Sequence, residues 1–398
     1  MHCETLYPPF EAIIGQKIYM TCVDFLRLLW YNSNVRKYSK GAIFGVIFFL
    51  GILYPFLFFG LFGGAMSSTK KILSAVISLT AAAAVITAVR YAVSDKNAEY
   101  TFSGFYFDTA VTCKTVSSDG SLSESCKSIV SELDKIASAY DKNSAVYKID
   151  HGEKFSPEKY PDIGNMLNGY KSFEEKFGEG ITPFCGSLTL LWNISSDAPY
   201  VPTETEISAA LENVNSSVDY DGAIPEGSLL DLGAGAKGYA CDRLLEAALS
   251  DEKADEIIFS TGSSSLMWSR EGRDFTAAVV DPINGGTALE FPCGSSFIST
   301  AGGYERYFED NGRKYTHIMD IRTGYPAETD IASATVILPC ESGSGLVSDL
   351  LSTLIYIGGT ENAEHYAEIC GESFEDYGII TIDNSGNVTS YGSVDIVK

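Results

Sequence analysis

The sequence predicts an α+β layered domain behind an apolar, membrane-directed N-terminal region. Three observations carry this prediction. Strand-like and helix-like stretches alternate irregularly after residue 104, unlike a regular βαβ array. Hairpin turns are spelled out at Asn284-Gly-Gly and Asn311-Gly. Charge is divided sharply: residues 1–95 hold eight Lys/Arg and four Asp/Glu, whereas the remainder holds 20 Lys/Arg against 48 Asp/Glu, a net charge of −28. Such an acidic domain has no basic footprint for nucleic acid. A phosphate ligand in it would need a metal ion or local cations.

In chain order, residues 1–40 form an N-terminal extension. Its apolar stretch at 10–31 is broken by Glu11, Lys17, Asp24 and Arg27 and suits an interfacial helix. Gly41 to Met66 is a run of 26 residues without a charge, flanked by Arg36, Lys37 and Lys40. At about 1.5 Å per residue it is long enough to span a bilayer. Ile72 to Val89 adds 18 uncharged residues behind Lys70 and Lys71, so residues 41–93 are expected to be transmembrane, in segments 41–66 and 72–89. Two spans would return the acidic domain to the cytoplasm. Met66-Ser-Ser-Thr-Lys-Lys before an apolar run also reads as a signal anchor. Translation from Met66 would leave a single span with the domain outside, the placement expected here.

Residues 94–104 read as a polar linker and residues 105–398 as the domain. Phe105 to Thr115 reads as a strand. Ser121 to Ala139 has helical spacing, with Ile129, Leu133 and Ile136 on one face. Tyr140-Asp-Lys-Asn-Ser is a turn, 162–177 an amphipathic helix, and Thr205 to Val214 a short helix capped by Thr203 or Thr205. Strands are expected at 256–261, 275–280, 296–300 and 331–338, and a helix at 346–355. The nine cysteines show no C-x-x-C and no zinc spacing with histidine. Seven fall in the acidic part, an odd number that points to buried free thiols and away from a disulfide framework.

Three constellations carry chemistry. Leu229 to Ala240, LLDLGAGAKGYA, closes an apolar run on Asp231 and places Gly233, Gly235 and Gly238 in a G-x-G-x-x-G pattern before a helix. That pattern fits a dinucleotide pyrophosphate on a helix N-terminus, another phosphate site or a tight structural turn. A P-loop is excluded because Gly238, not Ser or Thr, follows Lys237. The second is Tyr315 to Pro326, in which His317, Asp320 and Arg322 alternate with apolar residues. An imidazole can move a proton near neutral pH, a carboxylate can orient it, and an arginine can hold an anionic oxygen. Solvent-facing polar residues at a strand end would look the same. The third is Asp349 and Thr353, four apart on one helix face, a carboxylate and a hydroxyl suited to part of a Mg²⁺ shell, or to an ordinary polar helix face.

Together and in this order the three resemble the ApbE family, the FAD:protein FMN transferases. DLGAGAKGYACD is similar to the family's DLGGIAKGYAVD-like turn, and STAGGYERYF (299–308) to an SGDYERYF-like segment. HIMDIRTGYP follows HIIDPRTGYP, and DLLST follows a D-x-L-S/A-T helix. FDTAVT, YDKNSAVYKID (140–150) and TPFCGSLTLLW (182–192) extend the likeness upstream, so it covers residue 104 to the C-terminus. Departures are small residues at Ala234 and Gly235, Ile321 for a proline, Gly262 alone of a glycine pair, and no Asp before Pro183.

The resemblance implies a T-fold-like ApbE-type α+β fold. It also implies cleavage of FAD with attachment of FMN to Thr or Ser of a redox acceptor protein, releasing AMP. It implies Mg²⁺ held by Asp349, Thr353 and the Ala234 carbonyl, with His317 as base and Asp320 orienting that site. Asp231, Gly233, Lys237, Gly238, Tyr304, Arg322, Thr323 and Gly324 are expected around FAD. Non-catalytic FAD binding, hydrolysis of FAD to FMN and AMP, and, from the glycines alone, a nicotinamide oxidoreductase are the alternatives.

Overall fold

The computed structural model of the chain describes residues 97–218 and 220–396. The segments expected to lie on or cross a membrane, at 1–40, 41–66 and 72–89, fall outside them. Among the described residues no helix is long and apolar enough to cross a membrane.

The first element replaces the linker expected at 94–104. Strands β1 (Ala98–Tyr106) and β2 (Thr109–Ser117) form an antiparallel hairpin, in register from Ala98↔Ser117 to Tyr106↔Thr109. Tyr100, Phe102 and Tyr106 are partly covered while Thr101, Ser103 and Phe105 are exposed. Polar residues at every second position of a half-buried strand mimic a linker when read without their partners. The expected strand at 105–115 is likewise two strands broken at Phe107-Asp108. Both turn residues adopt positive φ, 52° and 55°, as a tight two-residue hairpin connection requires.

Helix α1 (Ser121–Ala137) follows, then α2 (Ala145–Asp150), capped by Ser144, which accepts from Tyr147 N. α3 (Pro161–Phe177) starts with proline at its first position, where no intrahelical N–H is needed. α4 (Gly186–Trp192) was not foreseen. α5 (Glu204–Leu211) carries a complete capping box between Thr203 and Glu206. The glycine turn leads into α6 (Ala236–Ser250).

The strands β3 (Ala254–Ser260), β4 (Ser264–Ser269), β5 (Phe275–Val280), β6 (Thr287–Cys293) and β7 (Ser296–Gly302) come next. The short strands β8 (Tyr307–Asp310), β9 (Arg313–Thr316), β10 (Met319–Asp320) and β11 (Tyr325–Pro326) precede the long β12 (Ile331–Pro339). Helix α7 (Gly345–Ser373) and strands β13 (Gly378–Asp383) and β14 (Val388–Gly392) complete the domain. Both glycine-marked turns connect hairpins, β5–β6 and β8–β9. α7 runs far beyond the expected 346–355 because it is two helices joined at Gly359, whose φ is 73°. Asp330 Oδ1 accepts from Thr360 N at 3.0 Å and caps the second part from outside the helix.

Eight strands form one antiparallel sheet in the order β1-β2-β3-β4-β7-β12-β13-β14. Helices α1 and α6 cover one half of one face through Leu122, Val130, Leu244 and Ala248 against Val111, Ile257 and Phe259. α7 covers the other half through Leu350, Leu351 and Ile355 against Val336, Leu338 and Ile379. On the opposite face the β5–β6 hairpin packs Val279, Leu289 and Phe291 on Ile298, Ile337 and Ile380. β12 is therefore covered on both sides, which is why residues 331–338 read as a continuous apolar run. The seven cysteines among the described residues are all free, and Cys113, Cys126, Cys241 and Cys370 are buried.

Candidate functional site

The site forms where α6 and α7 cross beneath the glycine turn. Leu230 and Leu232 are fully buried and anchor the turn. Asp231 N donates to Pro183 O at 2.8 Å and Gly186 N to Leu229 O at 2.9 Å, strapping the turn to the start of α4. The Asp231 carboxylate is committed locally, accepting from Gly233 N at 2.7 Å and from Thr189 Oγ1 at 2.6 Å.

The three glycines do different work. Gly233 takes the Asp231 bond, and Gly235 caps α6. Gly238 is a helix-crossing residue, because a Cβ there would collide with the carbonyl of Gly345, whose own Cβ would strike the carbonyl of Gly238. This contact corrects the expectation that Gly238 approaches FAD. Its N–H donates to Asp349 Oδ2 at 2.8 Å, so a first-turn amide of α6 is satisfied by a carboxylate of the same chain.

Asp349 is 4% exposed and also accepts from Ser264 Oγ at 3.0 Å. Burial pushes its carboxyl pKa up, while the Lys237 charge and these two hydrogen bonds pull it down. One turn later Thr353 Oγ1 donates to Asp349 O at 3.1 Å. Asp349, Thr353, Ala234 and Lys237 line one cavity of about 600 Å³. Tyr304, Arg306 and His317 line it too, with Trp192, Ile194, Met319 and Ile321 supplying apolar wall.

His317 is half-buried, with Nδ1 3.2 Å from Arg306 O and its backbone N–H donating to the same oxygen at 3.1 Å. Burial, reinforced by the Lys237 charge, lowers its pKa to about 4. It is therefore neutral at pH 7. A carbonyl only accepts, so Nδ1 carries the proton and Nε2 is free to take one.

The rest of the His317 segment does not join it. The Asp320 carboxylate accepts from Arg322 N at 2.9 Å, Arg322 Nε at 2.9 Å and Arg322 Nη2 at 2.8 Å. Its carbonyl accepts from Gly324 N at 2.8 Å and Thr323 Oγ1 at 3.3 Å. Gly324 adopts φ 76° and its carbonyl accepts from Trp192 Nε1 at 2.8 Å. Asp320, Arg322, Thr323 and Gly324 thus close the β10–β11 turn, and none of them lines the cavity. The expectation that Asp320 orients His317 is corrected to the Arg306 carbonyl. The reason is local: a tight turn uses its leading carboxylate to satisfy its own amides.

Arg306, inside the STAGGYERYF segment, joins the cavity wall without a role expected for it, as do Asp134, Tyr140 and Thr189.

A cavity with a buried carboxylate, a hydroxyl, an ammonium and a neutral imidazole beside an apolar wall is an enzyme-like site. It is not a Rossmann site, since the sheet is antiparallel and the third glycine serves helix packing. The model of the ApbE family matches residues 107–374, more than half of the chain. The chain belongs to the ApbE family.

It is 27% identical over 215 residues to the FAD:protein FMN transferase of Treponema pallidum, covering 48% of this chain and 58% of that protein. It is 25% identical over 278 residues to one from Klebsiella pneumoniae, covering 67% and 84%. The crystal structure of the ApbE protein of Thermotoga maritima superposes with a TM-score of 0.62 at 25% identity, covering 73% of this chain and 96% of that one. The flavinyl transferase ApbE of Pseudomonas stutzeri shares the fold, with a TM-score of 0.59 at 21% identity over 74% and 95%. The ApbE-type α+β fold expected from sequence is the fold found.

Proposed function

We propose that this chain is a transferase that cleaves FAD and attaches FMN through a phosphoester to a threonine or serine of an acceptor redox protein, releasing AMP. The observation that carries this reading is that Ala234, Lys237, His317, Asp349 and Thr353, drawn from three separated motifs, line one cavity. Its apolar wall suits a flavin ring, and Lys237 opposes the charge of a pyrophosphate.

The residues present fit a magnesium ion. Asp349, Thr353 and the Ala234 carbonyl offer only oxygen, the donor such a hard cation prefers. The Asp349 carboxylate is buried and makes no salt bridge among the described residues, so a cation beside it would offset its desolvation. Asp349, Thr353 and the Ala234 carbonyl would hold Mg²⁺, which when bound supplies positive charge to the pyrophosphate oxygens.

The chain's own groups supply the rest. His317 Nε2 accepts the proton of the acceptor hydroxyl as its oxygen bonds to the FMN phosphorus. The anhydride bond from that phosphorus to the bridging oxygen breaks, and AMP leaves with the electron pair. Lys237 offsets the negative charge, while Tyr304, Ile194 and Met319 border the space for the rings. Asp231 and Gly233 hold the turn that carries Ala234.

The test is incubation of the full chain with FAD, Mg²⁺ and an acceptor protein. Covalent flavin on the acceptor with stoichiometric AMP is expected. AMP without covalent flavin would replace this reading with FAD hydrolysis. Bound FAD with neither product would replace it with a flavin-binding protein.

The uncharged runs at 41–66 and 72–89 support membrane anchoring and an acceptor at the membrane. Translation from Met66, which leaves 72–89 as the single span, puts the domain outside the cytoplasm. Protease added to intact cells should then digest the domain; digestion only after lysis would place it inside.

A further inference from the structure

We propose that Arg306 is a positioning residue that locks the base and the rim of the cavity into one unit. Its carbonyl holds the imidazole of His317, and its guanidinium clamps the turn between β1 and β2. The proposal rests on His317 acting as the base.

The Arg306 carbonyl meets both the backbone N–H of His317, at 3.1 Å, and its Nδ1, at 3.2 Å. One oxygen thus sets the position and the tautomer of the ring. The guanidinium points away from that carbonyl to a part of the chain 199 residues distant in sequence. Its Nη2 donates to Phe107 O at 3.4 Å and Asp108 O at 3.0 Å, and Nη1 lies 3.9 Å from the Asp108 carboxylate.

The clamped turn needs holding. Phe107 and Asp108 sit at φ 52° and 55° without being glycine, a conformation that costs of order 1 kcal/mol per residue and persists only where the surroundings impose it. Asp134 Oδ1 accepts from Phe107 N at 2.6 Å, so the turn's amide is fixed by one side chain and its carbonyls by another. The Phe107 ring packs against both helix-covered cores, and Phe107, Asp108, Asp134, Arg306 and His317 all border the cavity. A planar fork can bridge two carbonyls and a carboxylate at once; a lysine ammonium is a single point and cannot. Movement of the turn would therefore reach His317 through one residue.

The test uses the full chain labelled with ¹⁵N-histidine, in which only four histidines must be resolved. The wild type at pH 7 is expected to show His317 protonated at Nδ1 and bare at Nε2. Arg306→Lys keeps the charge and loses the fork. It should shift the tautomer ratio toward Nε2–H and lower kcat for FMN transfer about 10-fold, with KM for FAD within about threefold. A rise in KM alone with an unchanged tautomer would mark a merely structural contact and overturn the proposal. So would an Nε2–H imidazole in the wild type, a measurement that needs no variant to fold. An Nδ1–H imidazole in a wild type that makes no covalent flavin would remove the transfer activity while supporting the lock.

Discussion

Two motif-bearing regions reach the cavity with very different yields. The crossing of α6 and α7 delivers Lys237, Asp349 and Thr353, with Ala234 on the preceding turn. The segment from Tyr315 to Pro326 looked equally rich in chemistry, yet of its polar candidates only His317 reaches the site. The difference lies in what the backbone needs. In a helix interior the amides and carbonyls are paired with one another, so side chains four apart are released onto one face. In the tight β10–β11 turn the amides of residues 322 and 324 have no ladder partners. The carboxylate and carbonyl of Asp320 are consumed in satisfying them. Asp349 accepts from Gly238 N and Ser264 Oγ, and Thr353 donates to the Asp349 carbonyl, while both stay on the cavity wall. A polar residue at a sharp turn is instead drawn onto its own backbone and away from the site.

The largest effect is expected from Asp349→Asn in the helix crossing. Removing the buried negative charge should lower Mg²⁺-dependent FMN transfer by about 10³-fold, since metal stabilisation of charge is worth several kcal/mol. Single-turnover assays across a Mg²⁺ titration check it; full turnover would remove Asp349 from the metal site.

His317→Gln should follow, with a loss of about 10²-fold in kcat, the lower end of what a positioned proton acceptor contributes. Its pH behaviour sharpens the point. The wild-type rate should hold as pH falls from neutral and drop through about pH 4, where the buried imidazole gains its proton. The Lys237 charge helps to hold that value down, so Lys237→Met should raise it and move the acid limb upward. A limb that stays put or moves down would show that the charge does not act on His317.

Gly238→Ala tests whether the third glycine serves packing. The added methyl meets the Gly345 carbonyl, and overpacking of this kind should cost about 1–3 kcal/mol, read as a lower urea midpoint at unchanged m-value. Unchanged stability with weakened FAD binding would return Gly238 to the ligand.

The smallest effect is expected from Arg322→Ala. This pair with Asp320 is exposed on the arginine side, so the variant should lose less than about 1 kcal/mol and keep FMN transfer within about twofold. A larger loss of activity would bring the turn back into the site.

Much of the framework was legible because its cause is local. The faces of α1 and α3, the Asn-Gly turns, the apolar run of β12 and the Asp349/Thr353 pair are written in spacings of two, three and four residues. The β1 strand was not legible, because its alternation acquires meaning only once β2 lies beside it. The length of α7 was obscured by Gly359, whose kink is capped by Asp330 from a distant loop.

The charge division, the α+β class, the family likeness and the three motifs can be read from residue order alone. Packing of distant segments set which of their members meet and what each one faces. It gave the α6 amide of Gly238 to Asp349, turned Asp320 onto its own loop, and joined Arg306 to Phe107 across 199 residues. Periodicity records which face of an element a residue occupies. It carries no record of the element that packs there, and a hydrogen bond between distant segments forms only after packing has brought its partners together.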